Sequence, residues 1–378
     1  MKIVHVTSYF IKDMAYQENL LPRGQVELGH DVVILTGSIN PDFGFNTDSR
    51  EMPRGTSYEH GVLIERLDQY IELSNRGILY KNLYKSIRKH SPDVLLCHGI
   101  GQPLAICLIY KIMNPDVILQ MDTHSTSDNS GHSKFAFFYH GFARLLFTMF
   151  RDRFHDIFAI APETSTFMQE WYGLSPSDIT LLPLPGDSSL MQNYDELRDS
   201  LRLSNSFLPN ELVLVHTGKL PGDKETKAVL DSFMLIKDER YRLIIAGSAD
   251  AEFEAYLNQC IALDKRIEYR GWNSATALRE LFISADLLVQ PGSLSNTFVD
   301  AICSGLPVLL DDTPQGRYLT RSGNGSVIAR GSVEKLSERI MKLLEPNCSA
   351  EMGSAARAAA HDLHYTENAK LSLRSILK

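Results

Sequence analysis

A chain of 378 residues is too long for one ordinary hydrophobic core and long enough for two domains. With 44% hydrophobic and 22% charged residues it has the composition of a soluble globular protein, and its net charge of −8 argues against a broad nucleic-acid-binding face. Its five cysteines are odd in number and scattered, with no CxxC pair and no Cys/His cluster at zinc spacing, which argues against a disulfide framework or a zinc site and for a reducing, cytoplasmic address.

The opening MKIVHVT alternates like a first strand and lacks the apolar run and cleavage site of a signal peptide. A polar–apolar run from Glu18 to Leu28 reads as a helix, GHDVVILTG as a buried strand and Val62 to Arg66 as a short one. A helix is predicted from about Arg76 to His90, followed by the strands SPDVLLCHG and PDVILQMDTH. The segment Phe135 to Asp156 mixes many aromatics with Arg144, Arg151 and Arg153; it reads as a buried helix with a charged end, or as one lying on an anionic membrane surface. FHDIFAIAPET and DITLLPLPG supply two more strands. The pattern restarts after a polar connector at 204–210, with the strand ELVLVHTG, a helix from Glu225 to Lys237, and the strands RLIIAGSA, RIEYRGW, DLLVQPG, LPVLLDD and GSVIAR. Helices are predicted at Val333–Leu344 and Thr366–Leu377, and no stretch is apolar over a length that would span a bilayer. The reading is two doubly wound α/β domains of similar size: residues 1–190, residues 205–360, and a last segment 361–378 that packs back on the first. Ligands of such sheets bind at the carboxyl ends of the strands, here in a cleft between the domains.

Four places carry candidate chemistry. The Gly/Ser-rich turn Gly292 to Ser295 feeds a helix that Asn296 or Thr297 can cap, with Asp300 in its first turn. The free N–H groups of such a turn suit an anion, and Asp300 suits the paired hydroxyls of a ribose, unless the turn is an ordinary βα connection. Gly218, Lys219 and Lys224 follow a buried strand, where two cations would neutralise a diphosphate; they would otherwise be surface lysines. Asp122 and His124 end another strand; on spacing alone a lone histidine reads as structural, yet an imidazole there can exchange hydrogen bonds with a substrate near neutral pH. The loop holding Tyr16 and Gln17 can close over an acceptor or be a plain connection. No P-loop, no GxGxxG after the first strand, no HExxH and no GxSxG occurs, so a kinase, dehydrogenase, zincin or serine hydrolase is poorly supported.

Taken in order, MKIVHVTSYF, LGHDVVILTG, FAIAPETSTFMQEWYG, LVLVHTGKLPGDKETKAVLDSF, ELFISADLLVQPG and FVDAICSGLPVLL resemble the GT-B glycosyltransferases of family 4, over nearly the whole chain. The resemblance implies two Rossmann-like domains facing across a cleft and transfer of a sugar from a nucleotide donor with retention. By matching positions it implies Lys219 and Lys224 at the donor diphosphate, together with Gly218 and the helix-start N–H groups of Ser295, Asn296 and Thr297. Asp300 would stand where the family carries a ribose-binding Glu, Trp272 near the base, and His124 where a histidine reaches the donor sugar and phosphate. Tyr16, Gln17 and Asp122 would lie on the acceptor side. Two positions depart from the pattern. Gly292 replaces a Glu that contacts the donor sugar, and Met14, Ala15 and Tyr16 replace a Gly-Gly pair.

The expected partners are a nucleotide-sugar, with UDP favoured over GDP, and a glycan or lipid-linked acceptor of surface polysaccharide synthesis. Peripheral contact with the inner membrane face is expected, and no nucleic acid, metal or other cofactor. The alternatives are an epimerase or hydrolase of the same fold, which would act without an acceptor, and a non-catalytic partner of another transferase.

Overall fold

A computed structural model describes residues 1–41, 50–73, 77–130, 134–220, 224–292 and 296–377. The chain divides into two units, Met1–Pro185 with Tyr365–Lys378, and Gly186–His364.

The first unit is built on the strands β1 (Lys2–Val6), β2 (Asp31–Gly37), β3 (Gly55–Glu59), β4 (Val62–Leu67), β5 (Gln69–Leu73), β6 (Gly77–Tyr80), β7 (Val94–His98), β8 (Ile118–Thr123), β9 (Asp156–Ala159) and β10 (Ile179–Leu181). Eight of them form a sheet in the order β10-β9-β8-β7-β1-β2-β4-β3, parallel except for the edge strand β3, while β5 and β6 pair as a hairpin. The chain winds outward from β1 in both directions, so β1 and β7 flank the switch point where ligands of doubly wound sheets bind. β1 and β7 are buried almost throughout because helices cover both faces, which is why each reads as a near-continuous apolar run.

The helix Gln17–Glu27 contains Pro22 and Gly24 and has little amphipathic character, yet it is well buried. The helix Tyr365–Leu373 covers its outer face. A Cβ at Gly24 would lie 2.5 Å from the Tyr365 carbonyl oxygen and 2.9 Å from the Ala369 Cβ, so only glycine permits this approach. The Tyr365 hydroxyl donates to Glu27 at 2.8 Å, and the Arg23 guanidinium sits 4.5 Å over the Tyr365 ring.

The second unit has six parallel strands, β11 (Leu212–Leu220), β12 (Tyr241–Ala249), β13 (Ile267–Tyr269), β14 (Leu287–Gln290), β15 (Val308–Asp311) and β16 (Gly325–Ile328), in the order β13-β12-β11-β14-β15-β16. Its switch point lies at β11 and β14, each followed by a helix: Lys224–Leu235 and Asn296–Cys303.

Several expectations are corrected. The first unit ends at Pro185, and residues 186–204 go with the second. The physical reason is the helix Tyr194–Ser204, whose Arg198 and Arg202 bond Asp286 at 2.5 and 3.2 Å. Residues 361–364 also belong to the second unit, tied by Gly186 N–H to the Leu363 carbonyl at 2.8 Å. The helix expected from Arg76 begins at Leu83, because Ile78 and Tyr80 alternate into the core on β6. The helix Lys134–Phe150 is buried on one face only: Ala143, Leu146 and Phe147 point inward, while Phe137, Phe138, Phe142, Leu145 and Met149 are exposed.

Candidate functional site

In the first unit, a line of buried side chains crosses the carboxyl ends of β1, β7 and β8. His98 and Asp122 are register partners on β7 and β8, and the His98 Nδ1–H donates to Asp122 Oδ2 at 2.7 Å. His98 Nε2 meets His5 Nδ1 on β1 at 2.9 Å, and His5 Nε2 meets the Gln25 amide oxygen at 2.7 Å. Gln25 and Gln17 stand eight residues apart on one helix, a little over two turns, so both face the sheet. Gln25 Nε2 donates to the Ser372 hydroxyl of the returning helix at 3.3 Å. Gln17 Nε2 donates to Asp122 Oδ2 at 3.1 Å, and its amide oxygen accepts from His124 Nε2 at 2.8 Å. His124 itself is exposed, and the loop that carries it is held by the Asn129 side chain, which donates to the His124 carbonyl at 2.9 Å.

The electrostatics of this line are coherent. Burial opposes ionisation of Asp122, and His98 outweighs it, so the carboxyl lies below its ordinary range. Burial alone would lower His98; the Asp122 carboxylate, with Glu18 adding, holds it above the ordinary value. His5 is pushed down to about 3, first by burial and then by the neighbouring His98.

Asp122 and Gln17 were expected to face an acceptor. Both side chains are buried, and Gln17 joins Asp122 to the exposed His124. Gln17 is not in a loop but opens its helix, with the half-buried Tyr16 at the position before it.

In the second unit, Gly218 and Lys219 lie in the last residues of β11 and Lys224 opens the following helix, while the side chains of both lysines, and Ser295, lie outside the described residues. Two buried or half-buried side chains fix this strand exit. The Gln290 amide donates to the Thr217 carbonyl at 2.7 Å and accepts from the Thr217 N–H at 2.9 Å. His216 spans from the Val289 carbonyl, at 2.7 Å, to the Thr226 hydroxyl, at 3.0 Å, and so ties β11 and β14 to the helix that follows β11.

Asn296 is the first helical residue and Thr297 the second, so the capping position falls on 295, outside the described residues. Asp300 lies in the second turn, not the first, and is 7% exposed. Burial pushes its carboxyl up to about 7, against the pull of Arg279 and with a push from Asp187. Arg279 is committed to Asp187 at 2.5 Å, and Asp300 Oδ1 has no hydrogen-bond partner among the described residues. Trp272, 53% exposed, sits in the loop after β13.

One carboxylate escaped the sequence reading. A Cβ at Gly292 would meet Glu225 Oε2 at 2.5 Å, so the Glu225 side chain occupies the space beside that glycine. Arg330 holds it, bonding Glu225 Oε1 at 2.9 Å and also the buried Asp311. His5, His98, Arg279 and Arg330 were missed as well. The signal for the first two was present: an isolated histidine inside each of two apolar strands, where burial demands a partner. Lys227, one turn into the helix that Lys224 opens, lies 5.2 Å over the Tyr256 ring. Among the described residues, no group of three or more His, Cys, Asp or Glu side chains could hold a metal ion, and no helix is long and apolar enough to cross a membrane.

Residues 21–189 match the family described as Glycosyltransferase Family 4, and residues 211–346 match Glycosyl transferases group 1. No curated protein sequence matches the chain. Among solved structures, the chain is similar to HepE of Anabaena in complex with UDP and glucose, with a TM-score of 0.70, 16% identity and 100% of each chain covered. It is similar to the sucrose-phosphate synthase of Thermosynechococcus elongatus, with a TM-score of 0.70, 12% identity, and 100% of this chain and 98% of that one covered. It is also similar to WaaG, a glycosyltransferase involved in lipopolysaccharide biosynthesis, with a TM-score of 0.67, 16% identity, and 97% and 98% coverage. At these identities the likeness is one of fold.

Proposed function

Because the chain belongs to the family 4, group 1 glycosyltransferases and has their GT-B fold, we propose that it moves a sugar from a UDP-sugar, with a GDP-sugar as second choice, to a glycan or lipid-linked acceptor of surface polysaccharide synthesis. The observation that carries this reading is the pair of helices that start at Lys224 and Asn296, directly after the neighbouring strands β11 and β14. Two helix N-termini at one switch point favour a diphosphate. HepE has been solved with UDP and with UDP-glucose, which supports the choice of base.

In this reading Lys219, Lys224 and the N–H groups of residues 295–297 stabilise the leaving diphosphate. No metal or other cofactor is assigned to the reaction. Asp300 takes the ribose hydroxyls and Trp272 the base. Glu225 supplies, from another element, the carboxylate that residue 292 cannot, and takes a hydroxyl of the donor sugar. The bond between the anomeric carbon and the phosphate oxygen breaks, its electron pair passing to the diphosphate. The acceptor hydroxyl bonds to the anomeric carbon from the same face and gives its proton to the leaving phosphate, so configuration is retained. His124 contacts the sugar being moved.

We assign the exposed apolar stripe of the helix Lys134–Phe150 to peripheral contact with an anionic membrane at the cytoplasmic face. Phe138, Phe142, Leu145 and Met149 follow one another at three- and four-residue spacing, and the exposed Arg144 and Arg153 lie beside and beyond them.

A thermal-shift screen against UDP, GDP, ADP, dTDP and their common sugars tests the reading. A ligand present at a hundred times its dissociation constant adds about 2.7 kcal/mol of stability. UDP and one UDP-sugar standing out supports it, and product formed without any acceptor would favour the epimerase or hydrolase. No shift with any nucleotide would overturn it and bring the non-catalytic partner forward.

A further inference from the structure

The hydrogen bonds of the buried line in the first unit determine where its protons are. A carboxylate only accepts, so Gln17 must turn its NH2 toward Asp122 and its oxygen toward His124. An amide oxygen only accepts, so His124 Nε2 must carry the proton. With the proton so placed, the neutral form of the ring has its bare nitrogen at Nδ1.

The other arm is fixed in the same way. The Ser372 hydroxyl donates to the Ala369 carbonyl at 2.8 Å, so it accepts from the Gln25 NH2. The Gln25 oxygen therefore faces His5, whose Nε2 donates and whose Nδ1 accepts. His98 is left as the donor at both nitrogens, to His5 and to Asp122. A ring that donates twice is an imidazolium.

We infer that a buried His98 imidazolium–Asp122 carboxylate pair, acting through the Gln17 amide, fixes His124 as a hydrogen-bond acceptor at Nδ1 toward a hydroxyl of the sugar or acceptor. His5, His98, Asp122, Gln17 and Gln25 are positioning residues; only His124 reaches the surface. The charged groups facing His98 are Asp122 and, further off, Glu18. The inference rests on the transferase reading only for the identity of what His124 meets. The proton positions stand apart from it.

The test is nitrogen NMR of the ligand-free full chain with 15N-labelled histidine rings, assigned by single substitutions. At pH 8, one ring, lost in His98→Gln, should carry protons on both nitrogens, and the His124 ring should be protonated at Nε2 alone. Gln17→Met should leave the His98 signals intact and release His124 into a mixture of tautomers. Asp122→Asn should return His98 to the neutral form. A neutral His98 in the wild-type chain, His124 protonated at Nδ1, or a His124 tautomer unmoved by Gln17→Met would each overturn the inference. If Asp122→Asn does not fold, the Gln17→Met spectrum decides alone. In turnover, Gln17→Met should lower kcat about tenfold with donor KM little changed. If the predicted tautomer is present and no sugar is transferred, the transferase reading fails while the relay stands.

Discussion

Replacing Asp300 by Asn should stabilise the protein, and by an amount that grows with pH. The side chain is 7% exposed, with one oxygen unpartnered among the described residues and its nearest cation already bonded to Asp187. Burial raises its carboxyl from 3.8 to about 7. At about 1.4 kcal/mol per pH unit, that is a deficit of about 4 kcal/mol once the group ionises. The sign follows from linkage. Below pH 4, folded and unfolded chains both keep the proton, and Asp300 has no effect. Between pH 4 and 7 only the unfolded chain releases it, so wild-type stability falls by about 1.4 kcal/mol per unit; above 7 the full deficit is present. Asn has the same shape and no proton to lose. Scanning calorimetry at pH 4.5, 6 and 8 reads the difference between variant and wild type. It should be about 1 kcal/mol at the first, about 3 kcal/mol at the second and about 4 kcal/mol at the third, the last worth about 10 °C for a unit of this size. A difference that does not change with pH would refute the reasoning, because it would show that Asp300 ionises in the folded chain as readily as in the unfolded one.

Lys219→Ala and Lys224→Ala should each lower turnover about a hundredfold, since each removes a charge from the leaving group; steady-state kinetics at saturating donor checks this. Glu225→Gln should reduce kcat/KM for the sugar nucleotide about tenfold or more and leave UDP affinity unchanged, because the lost charge faces the sugar; equal losses for both ligands in calorimetric titrations would contradict the assignment. Gly24→Ala should destabilise by about 1–3 kcal/mol in urea unfolding, although alanine is the better helix former, because the Tyr365 carbonyl cannot move aside. The double change Phe138→Ser, Phe142→Ser should weaken sedimentation with anionic vesicles at least tenfold without altering nucleotide binding.

The buried strands were legible because parallel strands covered on both faces, such as VLLCH and LVLVH, read as short apolar runs bounded by turns. β3 and β5 were not: Tyr58, Tyr70 and Ile71 are exposed on them, so no apolar face marks either one. The helix Lys134–Phe150 was misjudged for the opposite reason. It is apolar on both sides, and such a sequence does not say which side meets the core. In the candidate site, the turn before Asn296 and the acid at Asp300 stand close together in sequence and could be read locally. Asp122 depends on His98, 24 residues away, and on Gln17, 105 residues away, while Glu225 reaches Gly292 from another helix. Such partners are set by strand order, which local pattern does not encode.

The return of Tyr365–Leu373 to the first unit has a consequence for biosynthesis. The second unit is one continuous segment, so a ribosome delivers all of it before the first unit has its covering helix. Until residue 372 emerges, Gln25 lacks its hydroxyl partner and the close-packed face of Gly24 stands open. The domain begun first is therefore finished last, and its polar centre is sealed only when the helix 365–373 docks.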